Sequence, residues 1–295
     1  MGDADRQRSE QDAFSTQSRQ GYFGDASAAT NSNASGDPRI VLAEDYGQPR
    51  NSASLAALSI TGSEVARQLD GCAGRYVGKT TIVTGGARGI GEGCARVFFE
   101  AGSNVVVCDR NEEAGSALCK ELNQRAGAKN AALFVKADVS VTRELEALVA
   151  AAVEHFGRIH CIINNAGWHP PHRTIDEFSV DDLQDLLQLN VVSTFALCKF
   201  ALPHLRKVQG NIINMSSWVG IYGQSKATTY AATKGAVAAF TKALAIDEAA
   251  HKVRVNSVSP GNIWTPLWIA GAGADADPVA AREAGERVQA MGRMG

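Results

Sequence analysis

From Lys79 to Ser259 the chain alternates short, nearly continuous apolar runs with helical segments, and this alternation restricts the fold more than any other feature. The apolar runs fall at 80–84, 104–109, 132–136, 159–165, 211–215 and 253–259. Between them, segments 89–102, 112–125, 141–156, 180–207 and 228–250 read as helices, several with an apolar face such as Ile90, Cys94, Val97 and Phe98. Strands this short and this apolar are buried on both faces, which predicts a parallel sheet with helices on each side. Right-handed crossovers then lead to an α/β fold, a doubly wound parallel Rossmann sheet in a single domain. Ligands of such sheets bind beyond the carboxyl ends of the strands, so residues at those ends are the candidates for function.

Residues 1–74 read as a separate extension. They are rich in Ser, Gln, Asn, Gly, Ala and Asp, and 1–70 contains no Lys. Such a composition cannot bury enough apolar surface to offset chain entropy and predicts mostly disorder, leaving 75–295 as the folded domain. Leu55, Leu58, Val65 and Leu69 approximate one helical face, which leaves room for a brief docked helix. The 29 basic and 31 acidic residues give a net charge of −2, which argues against a nucleic-acid-binding surface. No run of 18 uninterrupted apolar residues occurs, and the start lacks a signal-peptide pattern, so neither a membrane span nor secretion is expected. The six cysteines (72, 94, 108, 119, 161 and 198) are scattered without a CxxC pair and read as free thiols of a cytoplasmic protein. Asn33 and Asn214 stand in glycosylation patterns that are expected to be chance.

Three motifs, at strand ends or on the helices that follow them, carry chemistry. The first is Thr84-Gly85-Gly86-Ala87-Arg88-Gly89-Ile90-Gly91, a strand–turn–helix junction of the kind that lets a pyrophosphate approach backbone N–H groups at a helix N-terminus. A tight turn needed only for helix packing would look the same. The second is Asp109, which follows Gly91 by 18 residues and closes the second strand. A carboxylate there can accept hydrogen bonds from ribose hydroxyls and repel a 2′-phosphate, which favours NAD over NADP, although Arg88 and Arg110 could meet a phosphate. The third is Tyr230-Ala231-Ala232-Thr233-Lys234. Residues four apart share a helix face, and an ammonium beside a phenol stabilises phenolate, so Lys234 is expected to lower the Tyr230 pKa. Ser217 stands 13 residues earlier, at a strand end, where its hydroxyl could share a substrate oxygen with Tyr230. His169-Pro170-Pro171-His172 is not a convincing metal pair, because prolines remove helical spacing and no acidic partner is evident, so no metal is expected.

The ordered set TGGARGIG (84–91), Asn164-Asn165-Ala166-Gly167, Asn190, Ser217, YAATK (230–234) and Ser259-Pro260-Gly261 resembles the classical short-chain dehydrogenase/reductase family over roughly residues 75–295. The resemblance implies a catalytic tetrad of Asn190, Ser217, Tyr230 and Lys234. Tyr230 would be the acid/base, Ser217 would polarise the substrate oxygen, Lys234 would hold the nicotinamide ribose, and Asn190 would help hold a relay water. For the cofactor it implies contacts from Gly85, Arg88, Gly89, Ile90, Gly91, Asp109, Asp138, Val139, Asn165, Ala166, Gly167, Pro260, Gly261, Ile263 and Thr265, besides Tyr230 and Lys234.

AGWHPP (166–171), GNIINMSSWVG (210–220), SPGNIWTPLW (259–268) and the final GRMG are similar to a branch described both as 17β-hydroxysteroid dehydrogenase type 14 and as L-fucose dehydrogenase. That similarity implies an NAD-dependent cytosolic homotetramer oxidising a secondary alcohol, either a steroid 17β-hydroxyl or a sugar hydroxyl. His169 and Gln224 would line the substrate pocket. Trp264 and Trp268 could form an apolar lid or be ordinary core residues. The family continues past GRMG with another helix and a seventh strand. The chain is therefore expected to be C-terminally incomplete, with its sixth strand an open edge. The alternative reading is a non-catalytic relative that binds NAD or associates with full-length subunits.

Overall fold

The structure is a computed structural model that describes residues 74–125, 129–273 and 277–295. All of these lie in one unit of the chain, Ser59–Gly295. The expectations for the N-terminal extension, its Leu55–Leu69 helical face, Cys72 and Asn33 fall outside the described residues.

Six parallel strands form one sheet: β1 (Thr80–Thr84), β2 (Asn104–Asp109), β3 (Ala132–Lys136), β4 (Cys161–Asn164), β5 (Asn211–Met215) and β6 (Arg254–Val258). Their order is β3-β2-β1-β4-β5-β6, so the chain reverses direction across the sheet between β1 and β4. The pairing Thr81↔Cys161, Ile82↔Ile162 and Val83↔Ile163 fixes that boundary. A reversal of this kind opens a crevice at the carboxyl ends of the two strands.

Strand side chains alternate between two cores. Ile82, Val106, Ile162 and Ile212 face one layer, packed against α3 (Thr142–Phe156), the long α4 (Val180–Val208) and α6 (Thr228–Asp247). Val83, Val105, Val107 and Ile163 face the other, covered by α1 (Gly89–Glu100) and α2 (Glu112–Asn123) through Ala95, Phe99, Leu118 and Leu122. All five residues of β1 are buried. Each fully buried Ile or Val side chain contributes about 1.5–3 kcal/mol relative to exposure. A buried polar chain ties the sheet to α6: Asn164 Nδ2 donates to Asn214 Oδ1 at 2.8 Å, and Asn214 Nδ2 donates to Thr241 Oγ1 at 2.9 Å. Asn214 is wholly buried in this chain, so its glycosylation pattern is sterically unusable.

Three differences from the sequence expectations have clear causes. The helix expected over 180–207 carries a π turn, Gln188–Val192, in its middle. There the hydroxyls of Ser193 and Thr194 bond the carbonyls of Leu189 and Asn190, and such side-chain competition loosens a helix. Although its apolar run is broken by Lys199 and other polar residues, α4 is by length and composition apolar enough to cross a membrane. Half of that stretch is buried inside the fold, and the apolarity reflects the core that α4 covers. Three helices had no distinct signal: α5 (Val219–Tyr222), α7 (Pro266–Gly273) and α8 (Pro278–Arg287). Among the described residues β6 pairs only with β5 and stands at the sheet edge, with Arg254, Asn256, Ser257 and Val258 exposed.

Candidate active site

The turn after β1 closes around glycine. Gly85 and Gly89 hold φ of 59° and 58°, values that side chains with a Cβ rarely adopt. A Cβ on Gly91 would lie 2.0 Å from the Gly85 carbonyl oxygen. The turn therefore delivers the free N–H groups at the start of α1 into the crevice, with exposed Arg88 at the N-cap and Ile90 in the first turn. Thr84 Oγ1 accepts the N–H groups of Asn165 and Ala166, both at 3.1 Å. Asn165 Nδ2 returns bonds to the carbonyls of Thr84 (2.9 Å) and Gly85 (3.1 Å). The 165–167 segment is thereby locked against the glycine turn.

Asp109 closes β2 beside it. Its Oδ2 accepts Ala87 N–H at 3.1 Å and its Oδ1 accepts Asn111 N–H at 2.9 Å. Each carboxylate oxygen keeps a second acceptor site, which suits a vicinal diol. At the end of β3, Val139 is buried, and the Asp138 carboxylate is engaged by the Ser140 N–H (2.9 Å) and hydroxyl (2.7 Å). Those bonds hold the Asp138 carboxyl below its ordinary range.

The reacting groups converge beyond β5. Ser217, buried, follows that strand, and its hydroxyl comes close enough to Tyr230 on α6 to lower the phenol's pKa. The approach depends on Gly220: a Cβ there would lie 2.6 Å from the Lys234 carbonyl carbon, so glycine lets α5 sit directly on α6. Lys234 Nζ donates to the Met215 carbonyl at 2.8 Å and lies 5.7 Å from the Tyr230 ring centroid. Asn190 lies across from it: its Oδ1 accepts Trp168 N–H at 2.9 Å, and its Nδ2 donates to Trp168 O at 3.0 Å and Thr233 Oγ1 at 3.1 Å. Gly167 runs between the two, because a Cβ there would be 3.1 Å from Asn190 Oδ1 and 3.4 Å from Lys234 Nζ.

Burial governs the protonation of this cluster. It pushes the Lys234 ammonium down to about 8. The Tyr230 phenol is raised above its ordinary value by burial, with the Ser217 hydrogen bond opposing. The expected lowering by Lys234 does not set the phenol's value; burial does, disfavouring phenolate and ammonium alike. Lys234 also carries a stability cost. Its charge in the folded state is penalised fully below about pH 8, and the penalty vanishes above its ordinary value of 10.5. At about 1.4 kcal/mol per pKa unit, Lys234→Met is expected to stabilise the folded chain by about 1–3 kcal/mol at pH 7. Urea melts of both forms should show the gain shrinking between pH 8 and 10.5; a gain that grows there would contradict the sign.

These residues fit a dinucleotide. A cradle that any Cβ would fill sits at one end, and at the other is a buried ammonium for which the described residues supply one acceptor, leaving two donors. Pro260, Gly261, Ile263 and Thr265 span the two ends: Trp218 N–H donates to Pro260 O at 3.1 Å, and a Cβ on Gly89 would touch the Thr265 side chain at 3.4 Å.

The substrate candidates separate. The His169 ring lies over Tyr230, with centroids 4.1 Å apart, and burial lowers its pKa. Gln224 is exposed and bonds His172 Nε2 at 2.9 Å, and the His172 ring packs against His169 at 5.3 Å. Trp264 and Trp268 pack together at 5.3 Å, with the Arg282 guanidinium 4.5 Å over Trp264. Sequence reasoning missed Thr233, whose hydroxyl joins Asn190 to the Tyr230 carbonyl at 2.8 Å. Its position inside YAATK, one residue before the lysine, was the available signal. It also missed the Met215 carbonyl, which carries no sequence signal because every residue has one.

Comparison with known proteins agrees with this geometry. The family model for short chain dehydrogenases matches residues 79–272. The L-fucose dehydrogenases of Oryctolagus cuniculus and Mus musculus are each 50% identical over 221 residues, which cover 75% of this chain and 75% and 78% of those proteins. A trans-4-hydroxycyclohexanecarboxylate dehydrogenase of Sinomonas cyclohexanicum is 35% identical over 65% of this chain and 75% of its own length. Among solved structures, levodione reductase superimposes with a TM-score of 0.71 at 28% identity, covering 75% of this chain and 86% of that one. An actinorhodin polyketide ketoreductase with NADPH gives 0.67 at 31% identity over 74% and 85% of the two chains.

Proposed function

Because the chain belongs to the short-chain dehydrogenase family, we propose that it oxidises a secondary hydroxyl of a sugar of the L-fucose kind, with NAD as the hydride acceptor. The observation that carries this reading is the convergence beyond β5 of buried Ser217 with Tyr230 and a buried Lys234, whose Nζ lies 5.7 Å from the Tyr230 ring centroid. Half-identity to enzymes named for L-fucose supports the substrate class, and Asp109 at the ribose position supports NAD.

Bound nicotinamide supplies the acceptor for the hydride that leaves the carbinol carbon. The chain's own residues handle the proton and the positioning. Ser217 holds the substrate oxygen, and Tyr230 takes its proton. The Lys234 ammonium, 5.7 Å from the Tyr230 ring centroid, would stabilise phenolate as it forms. Asn190 and Thr233 hold the turn bearing Tyr230 against the Trp168 backbone, which fixes the geometry before substrate arrives. The products are a carbonyl compound, reduced cofactor and one proton.

The direct test is NADH formation by the purified chain with L-fucose and with estradiol. Turnover of the sugar supports the proposal; turnover of the steroid alone, or binding of NAD with no turnover of either, overturns it. Asp109→Ala should lower the NAD over NADP preference in kcat/KM at least about tenfold, the worth of about 1.4 kcal/mol, by removing a diol acceptor and a repelling charge. An unchanged ratio would remove Asp109 from that role.

A further inference from the structure

The loop from Pro260 to Thr265 touches both ends of the site, yet β6, from which it emerges, is a sheet edge. What holds the loop is not the sheet. Asn262 is bonded on three sides by α8 and the segment after it. Its carbonyl accepts Gln289 Nε2 at 3.0 Å and Gly295 N–H at 3.1 Å, while its own Nδ2 donates to the Gly285 carbonyl at 3.0 Å. Trp264 N–H donates to Gly295 O at 3.0 Å, completing a two-bond pairing between the loop and the last residues. The Gln289 amide also lies flat against Gly261, where a Cβ would stand 2.6 Å from its Oε1. Buried Met294 reaches Gly285, so the segment is itself anchored on α8.

We propose that Gln289, with Asn262, is a positioning pair that sets the height of the 260–265 loop over the nicotinamide end of the crevice. The proposal rests on the dinucleotide reading above and goes beyond it. The loop runs from Trp218, next to Ser217, to the Gly89 turn, and a dinucleotide stretched between those points passes along it. The adenosine half meets Asp109 and the glycine turn, which are tied to β1, β2 and β4 without help from α8. Loosening the latch therefore affects one half of the ligand and spares the other.

The experiment compares calorimetric binding of NAD and of ADP-ribose, which lacks the nicotinamide ring, to the full chain and to Gln289→Leu. The expected result is an NAD Kd raised about tenfold, an ADP-ribose Kd within about twofold, and a KM for NAD that rises more than kcat falls. Gly261→Ala provides a second route. Its Cβ meets the far end of a flexible side chain, so folding survives while the amide is pushed aside, and the same selective loss of NAD binding should follow. Combining the two substitutions should add little to either alone, because both break one contact. Equal weakening of NAD and ADP-ribose, or no weakening of either, overturns the latch. Failure of the unaltered chain to bind either ligand would end the dinucleotide reading and the latch together.

Discussion

Tyr230→Phe should lower kcat/KM for alcohol oxidation by at least about a thousandfold, roughly 4 kcal/mol of transition-state stabilisation, while NAD affinity stays within about threefold. The substitution removes one oxygen and little else. The ring that packs against His169 at 4.1 Å remains, as does the face lying 5.7 Å from Lys234 Nζ. Thr233 still bonds the residue-230 carbonyl, so the Asn190–Trp168 tether persists. Lost are the phenol that takes the substrate proton and the nearby Ser217 hydroxyl's interaction with it. The raised phenol adds a directional expectation: oxidation by the native chain should accelerate as pH climbs above 7, since deprotonation becomes cheaper. Steady-state kinetics with calorimetry on the same preparation decide the matter. A phenylalanine variant that turns over at the native rate would remove Tyr230 from the chemistry.

Gly91→Ala should be the most damaging single methyl in the cofactor half. Its Cβ would stand 2.0 Å from the Gly85 carbonyl oxygen and 2.5 Å from Asn165 Nδ2. The first is backbone held at positive φ, and the second is already spent on the Thr84 and Gly85 carbonyls. Neither can yield without opening the turn, so overpacking should cost about 2 kcal/mol, or a Tm drop of about 4–8 °C. Displacing the N–H groups at the start of α1 should also raise the NAD Kd at least about tenfold. Gly93, two residues on, provides the control: nothing lies within 4 Å of its Cβ position. Gly93→Ala should stabilise by about 0.5–1 kcal/mol through helix propensity and leave binding alone. If differential scanning fluorimetry finds the two variants alike, the close approach at Gly91 is not what shapes the turn.

The reach of the sequence can be judged element by element. The expected strands 80–84, 104–109, 132–136 and 211–215 coincide with β1, β2, β3 and β5, while β4 and β6 are shorter than the apolar runs that announced them. At His160 the backbone still bonds both neighbours, donating to the Thr80 carbonyl and accepting from Asn211 N–H, both at 2.9 Å, but its Nδ1 takes the Thr80 N–H, so the regular pairing starts only at Cys161. The short α5 escaped notice because Val219–Tyr222 is one turn long and held by tertiary contact at Gly220. Tyr230, Lys234 and Ser217 were legible as a set because their spacing is periodic or sits at a strand end. The pairing of Gln224 with His172, which packs against His169 beside Tyr230, is a partner that spacing could not indicate.

What the sequence determined alone was the alternation of strand and helix, the places where glycine was indispensable, and the residue types at each strand end. Those are local properties, set by side-chain period and backbone freedom over a few residues. The tertiary structure alone decided that the Tyr230 phenol is raised rather than lowered and that Gln289 reaches Asn262. Each of these depends on desolvation or on contacts between residues distant in the chain, quantities that no window of sequence contains.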